Sequence, residues 1–236
     1  MAHAALTPPQ ALAAKRKPRF SDETGAYASA REALLAEEIA ARRHLGRLAA
    51  QLRALPEGPQ IDGDYVFHDA NGSALKLGDL FGDKDTLVIY HWMYGPERER
   101  PCPMCTNLLG PLEANAADIR QRVALAVVGR STVERQKAFA RERGWSDALP
   151  LYQAQGDAFS LRIGGLDPES GYENPVLMVL HKDADTVRLH WMGETTMEMA
   201  DPGEDPRGAV DLSPLWNVLD LTPAGRDPKW YPKLEY

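Results

Sequence analysis

The two cysteines of the chain, Cys102 and Cys105, stand three positions apart in Cys102-Pro103-Met104-Cys105, between a strand-like run and a helix-like one. No other feature constrains the fold as much. Two cysteines scattered at random over a chain of this length would fall at that spacing about one time in a hundred. A bridge so short closes almost no loop, so a disulfide-stapled scaffold is excluded. A four-cysteine zinc site within one chain is excluded by count. A redox pair, half of a mixed Cys/His metal site, and coincidence all stay open.

The surroundings of the pair read as alternating elements. Residues 86–93 (TLVIYHWM) are β-branched and aromatic, the composition of a buried strand. A loop, 94–101 (YGPERERP), leads into the cysteines. Beyond Cys105, the positions Leu108, Leu109, Leu112, Ala116 and Ile119 share one helical face, with Pro111 as the expected kink. Residues 123–128 (VALAVV) predict a second buried strand. Ser131 and Glu134 have capping-box spacing, which predicts a helix running to about Arg143 and stopped by Gly144. The stretch 149–172 reads as loop-rich. Residues 176–180, a turn at 181–185 and residues 186–192 predict a hairpin. Upstream, 65–67 reads as a short strand before the Asn-Gly turn at 69–73, and 82–85 reads as another turn. Downstream come an acidic insertion at 197–210 and a closing helix at 212–219. Such alternation implies an α/β fold with a parallel or mixed sheet covered by helices.

The ends are different in character. Residues 1–20 read as a flexible arm. Its charges (Lys15, Arg16, Lys17, Arg19) follow the alanines, the wrong order for a secretory signal, so the cytoplasm is the expected compartment. Residues 21–56 read as one long helix, with Leu34, Leu35, Ile39, Leu45, Leu48, Leu52 and Leu55 at three- and four-residue steps. Ser29 with Glu32 offers a later starting point. A helix of some thirty residues reaches about 45 Å, too long to bury its whole stripe on a small domain. Either it packs on a second copy, making a homodimer, or it lies across its own domain. Residues 57–221 form the α/β domain, and 222–236 an extended tail. The balance of 27 Lys+Arg against 34 Asp+Glu, net −7, argues against a general nucleic-acid binder and against a polybasic membrane-surface protein. No apolar run approaches the roughly 20 residues that span a bilayer.

A cysteine between a strand and a helix sits near the helix N-terminus, where unpaired N–H groups favour a thiolate. Cys105, one turn on, is placed to resolve a mixed disulfide formed at Cys102. Pro103 fits an early helical position without losing a hydrogen bond. Arg98 and Arg100 add positive potential, which Glu97 and Glu99 partly cancel. His91 lies in the predicted buried strand. Its plain role is a hydrogen-bonded core histidine; its sharper one is a metal ligand beside Cys102 and Cys105, with His190 as a further candidate and copper(I) or zinc as the suited ion. His181 falls at a turn. Trp92 and Trp191 are packing candidates, while Trp92 and Tyr94, near the strand end, are also candidates for contact with substrate.

Asn174-Pro175 stands immediately before residues 176–180, and a proline opening a strand is a natural place for a cis peptide. With this piece the chain resembles the thioredoxin superfamily, in which strand–CxxC–helix is followed by a βα unit and a cis-proline that opens a hairpin. The resemblance implies a thioredoxin-like three-layer α/β/α fold with a mixed central sheet, here with a long N-terminal helix added. It also implies that Pro175, preceded by Asn174, lies beside the cysteines and helps dock an extended partner chain. A closer resemblance is to the bacterial family DUF899, carried by the Ala/Glu/Arg-rich N-terminal helix, DYVF at 64–67, LFG at 80–82, YHWMYGP at 90–96, the CPMC and DLTPAGRD at 220–227. It covers residues 21–227. The chain departs from small thioredoxins in having Pro101 directly before Cys102 and a longer loop from 93 to 102. That loop is similar to the one that delivers the peroxidatic cysteine of peroxiredoxins, but Glu99 stands where they carry Thr or Ser.

The function so implied is thiol–disulfide exchange, with Cys102 as nucleophile and Cys105 as resolving residue. Asn174, Pro175, Trp92, Tyr94 and Pro103 are the expected substrate contacts, and no cofactor is called for. The expected partners are a disulfide-containing protein or small thiol and a reducing dithiol system, not nucleic acid or membrane. A Cys/His metal-binding protein, a peroxiredoxin-like thiol peroxidase and a dimeric scaffold with a vestigial pair are the alternatives.

Overall fold

A computed structural model of the chain describes residues 6–61, 63–193, 214–223 and 229–235. The chain divides into two units, Met1–Pro56 and Glu57–Tyr236. In the first, helix α1 (Pro9–Ala13) begins on a proline, the residue that gives up no hydrogen bond at a first helical turn. It packs against α2 (Gly25–Arg53), with Ala13 buried and Arg16 paired to Glu23 at 2.6 Å. Part of the expected flexible arm is therefore a helical turn. Thr24 caps α2, its hydroxyl oxygen accepting from the Tyr27 N–H at 3.2 Å. The cap falls between residue 21, where the sequence reading begins the helix, and Ser29, the later starting point. Along α2 only Ala36 is buried, and Leu34 and Leu45 stand exposed.

The second unit is built on a seven-stranded sheet of order β2-β1-β5-β4-β3-β6-β7. The strands are β1 (Val66–His68), β2 (Ala74–Lys76), β3 (Thr86–Trp92), β4 (Ala124–Gly129), β5 (Leu151–Ala154), β6 (Val176–Asp183) and β7 (Thr186–Met192). β3–β4 and β4–β5 are parallel, and the other pairs antiparallel. The Asn-Gly turn between β1 and β2 is held by the Asp69 carboxylate, which accepts from the Asn71 and Ser73 N–H groups at 2.8 Å each. The β6–β7 turn is tighter than expected, with Ala184 at φ 50°, and His181 lies within β6.

Strand alternation splits the core into two layers. Leu87 and Ile89 of β3 join Ala126, Val128, Met178 and Leu180 under the 3-10 turn Leu77–Phe81 and helix α6 (Ala158–Arg162). Val88, Tyr90 and Trp92 face the other way, toward α3 (Pro103–Ala114), α4 (Ala116–Arg122) and α5 (Val133–Glu142). A mixed sheet between two helical layers, with the cysteine pair opening the helix after β3 and the β6–β7 hairpin beside it, is the thioredoxin-like α/β architecture.

Two details differ from the sequence reading. The predicted helix after Cys105 is interrupted at Asn115, where the Asn115 amide turns back onto the Pro111 carbonyl at 2.8 Å, and Pro111 itself lies inside α3. Thr132, not Ser131, caps α5, accepting from the Arg135 N–H at 3.4 Å. The stretch expected to be loop-rich contains β5 and α6. The acidic insertion at 197–210 lies outside the described residues. Helix α7 (Pro214–Asp220) follows. Near the end of the chain, Leu234 packs against the α3–α5 layer and its carbonyl accepts from Arg143 at 3.0 Å. No helix among the described residues is long and apolar enough to cross a membrane.

Candidate functional site

After β3 the loop 94–101 leaves the sheet and returns to its point of departure, where the Cys102 N–H donates to the Met93 carbonyl at 3.1 Å. Cys102 thereby becomes the N-cap of α3 with extended backbone, and its own carbonyl accepts from the Thr106 N–H at 3.0 Å as the first helical bond. Pro103 fills the first helical position, so the first available donor is the Met104 N–H. The N–H groups of Met104 and Cys105 both point at the Cys102 sulfur. Neither closes a regular cap bond to the thiol, but each favours the anion.

The two sulfurs are unequal. Cys102 is half-buried and Cys105 is 2% exposed. A hydrogen bond from the Cys105 thiol, the two backbone donors and the nearby Arg98 charge lower Cys102 to about 6, with desolvation opposing them. Cys105 moves the opposite way. Its hydrogen bond to Cys102, its burial and the Cys102 charge hold it well above the usual thiol range. One proton shared between two sulfurs therefore sits on the inner one, and the outer one is a nucleophile near neutrality.

A buried ion-pair network holds the loop in place. Glu173, 5% exposed, accepts from the Gly95 N–H at 3.0 Å, from Arg98 Nε at 2.9 Å and from Arg130 at 3.3 Å. Arg130 also pairs with Asp157 at 2.7 Å. A side chain at Gly95 would fall 2.3 Å from the Glu173 carboxylate, so glycine is required there by contact rather than by backbone angle. Arg135 adds hydrogen bonds to the Pro96 and Arg98 carbonyls, and Arg100 pairs with Glu142. Glu173 lies 78 positions from Gly95, and no local pattern in the sequence marks it. Tyr90 was also missed, although its shared face with Trp92 was readable from alternation; it lies in the same buried cluster as Cys105, whose thiol it draws downward against burial.

The remaining sequence candidates take other places. Trp92, 0% exposed, packs edge-on to Tyr94 and tilted against Phe139 and Trp145 in the same layer as Cys105. Tyr94 is buried as well, with Arg135 over its ring at 5.1 Å. Side chains so covered present no surface to a docking molecule; they form the wall behind the sulfurs. The Asn174–Pro175 peptide is trans. The Asn174 N–H donates to the Gly165 carbonyl at 3.0 Å and the Asn174 carbonyl is bound by His91 at 3.0 Å, which fixes an extended course into β6 with the ordinary peptide isomer.

His91 faces the layer opposite the cysteines. Its Nδ1 meets the Asn174 carbonyl and its Nε2 the Ser160 hydroxyl at 2.9 Å. Burial lowers its pKa, so the ring is neutral. Both nitrogens are engaged, and neither is available to an ion held by the sulfurs. Among the described residues no three His, Cys, Asp or Glu side chains gather as a metal site, so the mixed Cys/His site has only its two cysteines.

Sheet order and the cysteine pair at a helix N-terminus define a thioredoxin-like protein. Residues 17–236 match DUF899, bacterial proteins of unknown function, and the chain belongs to that family. No curated protein matches it. Among solved structures it is similar to a mutant of PrxQ from Xylella fastidiosa, at 12% identity over 58% of this chain and 84% of that one, with a TM-score of 0.45. It is also similar to the peroxidoxin BcpB from Mycobacterium tuberculosis (17%, 57% and 84%, TM-score 0.45). A third is an uncharacterised conserved protein from Geobacillus kaustophilus (15%, 70% and 80%, TM-score 0.44).

Proposed function

We propose that the chain is a thiol–disulfide oxidoreductase. The observation that carries this reading is the inequality of the pair: an accessible sulfur lowered to about 6 at the mouth of α3, one turn from a buried thiol that keeps its proton. The Cys102 thiolate attacks one sulfur of a substrate disulfide. A Cys102–substrate bond forms, the substrate's own bond breaks, and the released thiolate takes a proton from water. Cys105 then loses its proton and attacks the Cys102 sulfur. The second half of the substrate leaves as a thiol, and the Cys102–Cys105 disulfide remains. A cellular dithiol returns the pair to the reduced state by the same two exchanges in reverse. Of the expected contacts, Pro103 beside Cys102 and Asn174 are half-exposed and Pro175 is exposed, and these three stay the candidates for contact with an incoming disulfide.

The test is trapping. The Cys105→Ser variant accumulates a mixed disulfide with its substrate, and Cys102→Ser traps nothing. Equal activity of both variants and the wild type would rule the mechanism out. Turnover of hydrogen peroxide, measured on the same samples, separates the peroxidase alternative: it predicts consumption that depends on Cys102, whereas disulfide exchange alone predicts none.

A further inference from the structure

Helix α2 carries apolar residues on two sides. α1 packs on α2, and the buried Ala36 and half-buried Leu35 and Ile39 lie on one side of the helix. On another side Tyr27, Leu34, Ala41 and Leu48 recur at seven-residue steps, with Leu45 and Leu52 between them. On this second face Tyr27 is 56% exposed, Leu34 54% and Leu45 59%, while Leu48 and Leu52 are half-buried. A single exposed leucine is ordinary on a protein surface. A row of apolar side chains at heptad spacing, along a helix about 43 Å long, is the seam of a two-helix contact.

The charges say what covers that seam. Residues 25–39 carry Glu32, Glu37 and Glu38 against Arg31, whereas residues 40–53 carry Arg42, Arg43, Arg47 and Arg53 and no acid. The helix dipole favours this order only within the first and last turns, and Glu37, Glu38, Arg42 and Arg43 lie in the middle. A parallel pair of such helices sets Glu38 against Glu38 and each arginine against its copy. An antiparallel pair lays the acidic half on the basic half twice over. With a two-fold axis near Ala40, close to the middle of Gly25–Arg53, Glu38 stands opposite Arg42 of the second copy and Leu34 lies beside that copy's Leu45. Glu38, already paired with Arg31 of its own helix at 3.0 Å, then has a cation on either side.

We propose that α2 is a dimerisation element: its exposed apolar face packs antiparallel on the same face of a second copy of this chain, with Glu38 and Arg42 exchanged across the two-fold axis. Such a contact uses one patch twice, so it closes at two copies. It does not rest on the disulfide-exchange reading.

Sedimentation equilibrium of the full, reduced chain is the test. The wild type sediments at twice its 26.1 kDa chain mass at micromolar concentration. Leu34→Glu with Leu45→Glu weakens the dimer about a hundredfold. Glu38→Arg and Arg42→Glu each weaken it about tenfold by setting like charges across the axis, and an equimolar mixture of these two single variants recovers the dimer, because every facing pair is again opposite in sign. That recovery does not depend on how the leucine variant folds. In a chain with both native cysteines changed to serine, Leu34→Cys mixed with Leu45→Cys forms an intermolecular disulfide. Leu34→Cys alone forms none, since its two copies lie about 18 Å apart along the helices. A monomeric wild type, with the seam lying on its own chain, overturns the proposal. So does a dimer indifferent to the two glutamates, a mixture that fails to recover, or Leu34→Cys cross-linked to itself, which would make the helices parallel.

Discussion

The two faces of β3 carry polar groups of equal depth and opposite consequence. On one face His91 is sealed between the Ser160 hydroxyl and the Asn174 carbonyl, both its nitrogens engaged. On the other, Tyr90 leads outward through Cys105 to the half-buried Cys102. The first network is closed: each member satisfies the others, and the result is rigidity. The second is a graded series from protonated interior to ionised rim, and the result is a nucleophile. Burial of a polar group alone does not mark a reactive site; what marks it is a line of groups whose proton affinities are pushed apart and whose outer end meets solvent.

The sharpest way to break this comparison is to remove one group from each face. Cys102→Ser should abolish exchange with disulfides entirely and leave chemical unfolding close to wild type. Glu173→Ala acts through the loop that joins the two. It leaves Arg98 and the Gly95 N–H without their acceptor, while Arg130 keeps Asp157, with an expected loss of about 3 kcal/mol in urea unfolding and slower exchange as the loop loosens. His91→Phe should give the reverse of Cys102→Ser: about 2 kcal/mol lost because the Ser160 and Asn174 groups are orphaned, with exchange retained.

The pH dependence of stability sharpens the histidine face further. The buried ring resists protonation, while the unfolded chain takes a proton near the usual 6.5. The folded pKa is therefore the lower one. Its contribution is complete above 6.5 and is lost as pH falls, and this acid-side slope should be missing in His91→Phe. The smallest effect is expected from Arg98→Gln, which removes one partly exposed charge near Cys102 and should raise the pH midpoint of its alkylation by about half a unit.

The legible parts of the fold are those with local signals. The β-branched run of β3, the face Leu108–Leu109–Leu112–Ala116–Ile119 and the β6–β7 hairpin all follow from periodicity, and Pro103 marks the start of α3. β5 was not legible: four residues, Leu151–Ala154, carry no alternation and become a strand because β4 and β1 offer edges on both sides. The cysteines could be found from spacing. Glu173 could not, since its meaning lies in donors from Gly95, Arg98 and Arg130, three separate stretches of chain. The expected cis peptide at Pro175 failed for a related reason, because the Asn174 backbone is claimed by Gly165 and His91.

The most direct test of the outer sulfur is its titration. The rate of alkylation of Cys102 by iodoacetamide in the fully reduced protein, followed across pH with Cys105→Ser as the companion sample, should rise through a midpoint near about 6 in the wild type. In the variant the serine hydroxyl, a stronger donor than the Cys105 thiol it replaces, should hold the midpoint at or below the wild-type value and remove any alkylation of the second sulfur. A wild-type midpoint at the ordinary thiol value of 9.0 would contradict the account, because Cys102 would then be no more a nucleophile than any free cysteine.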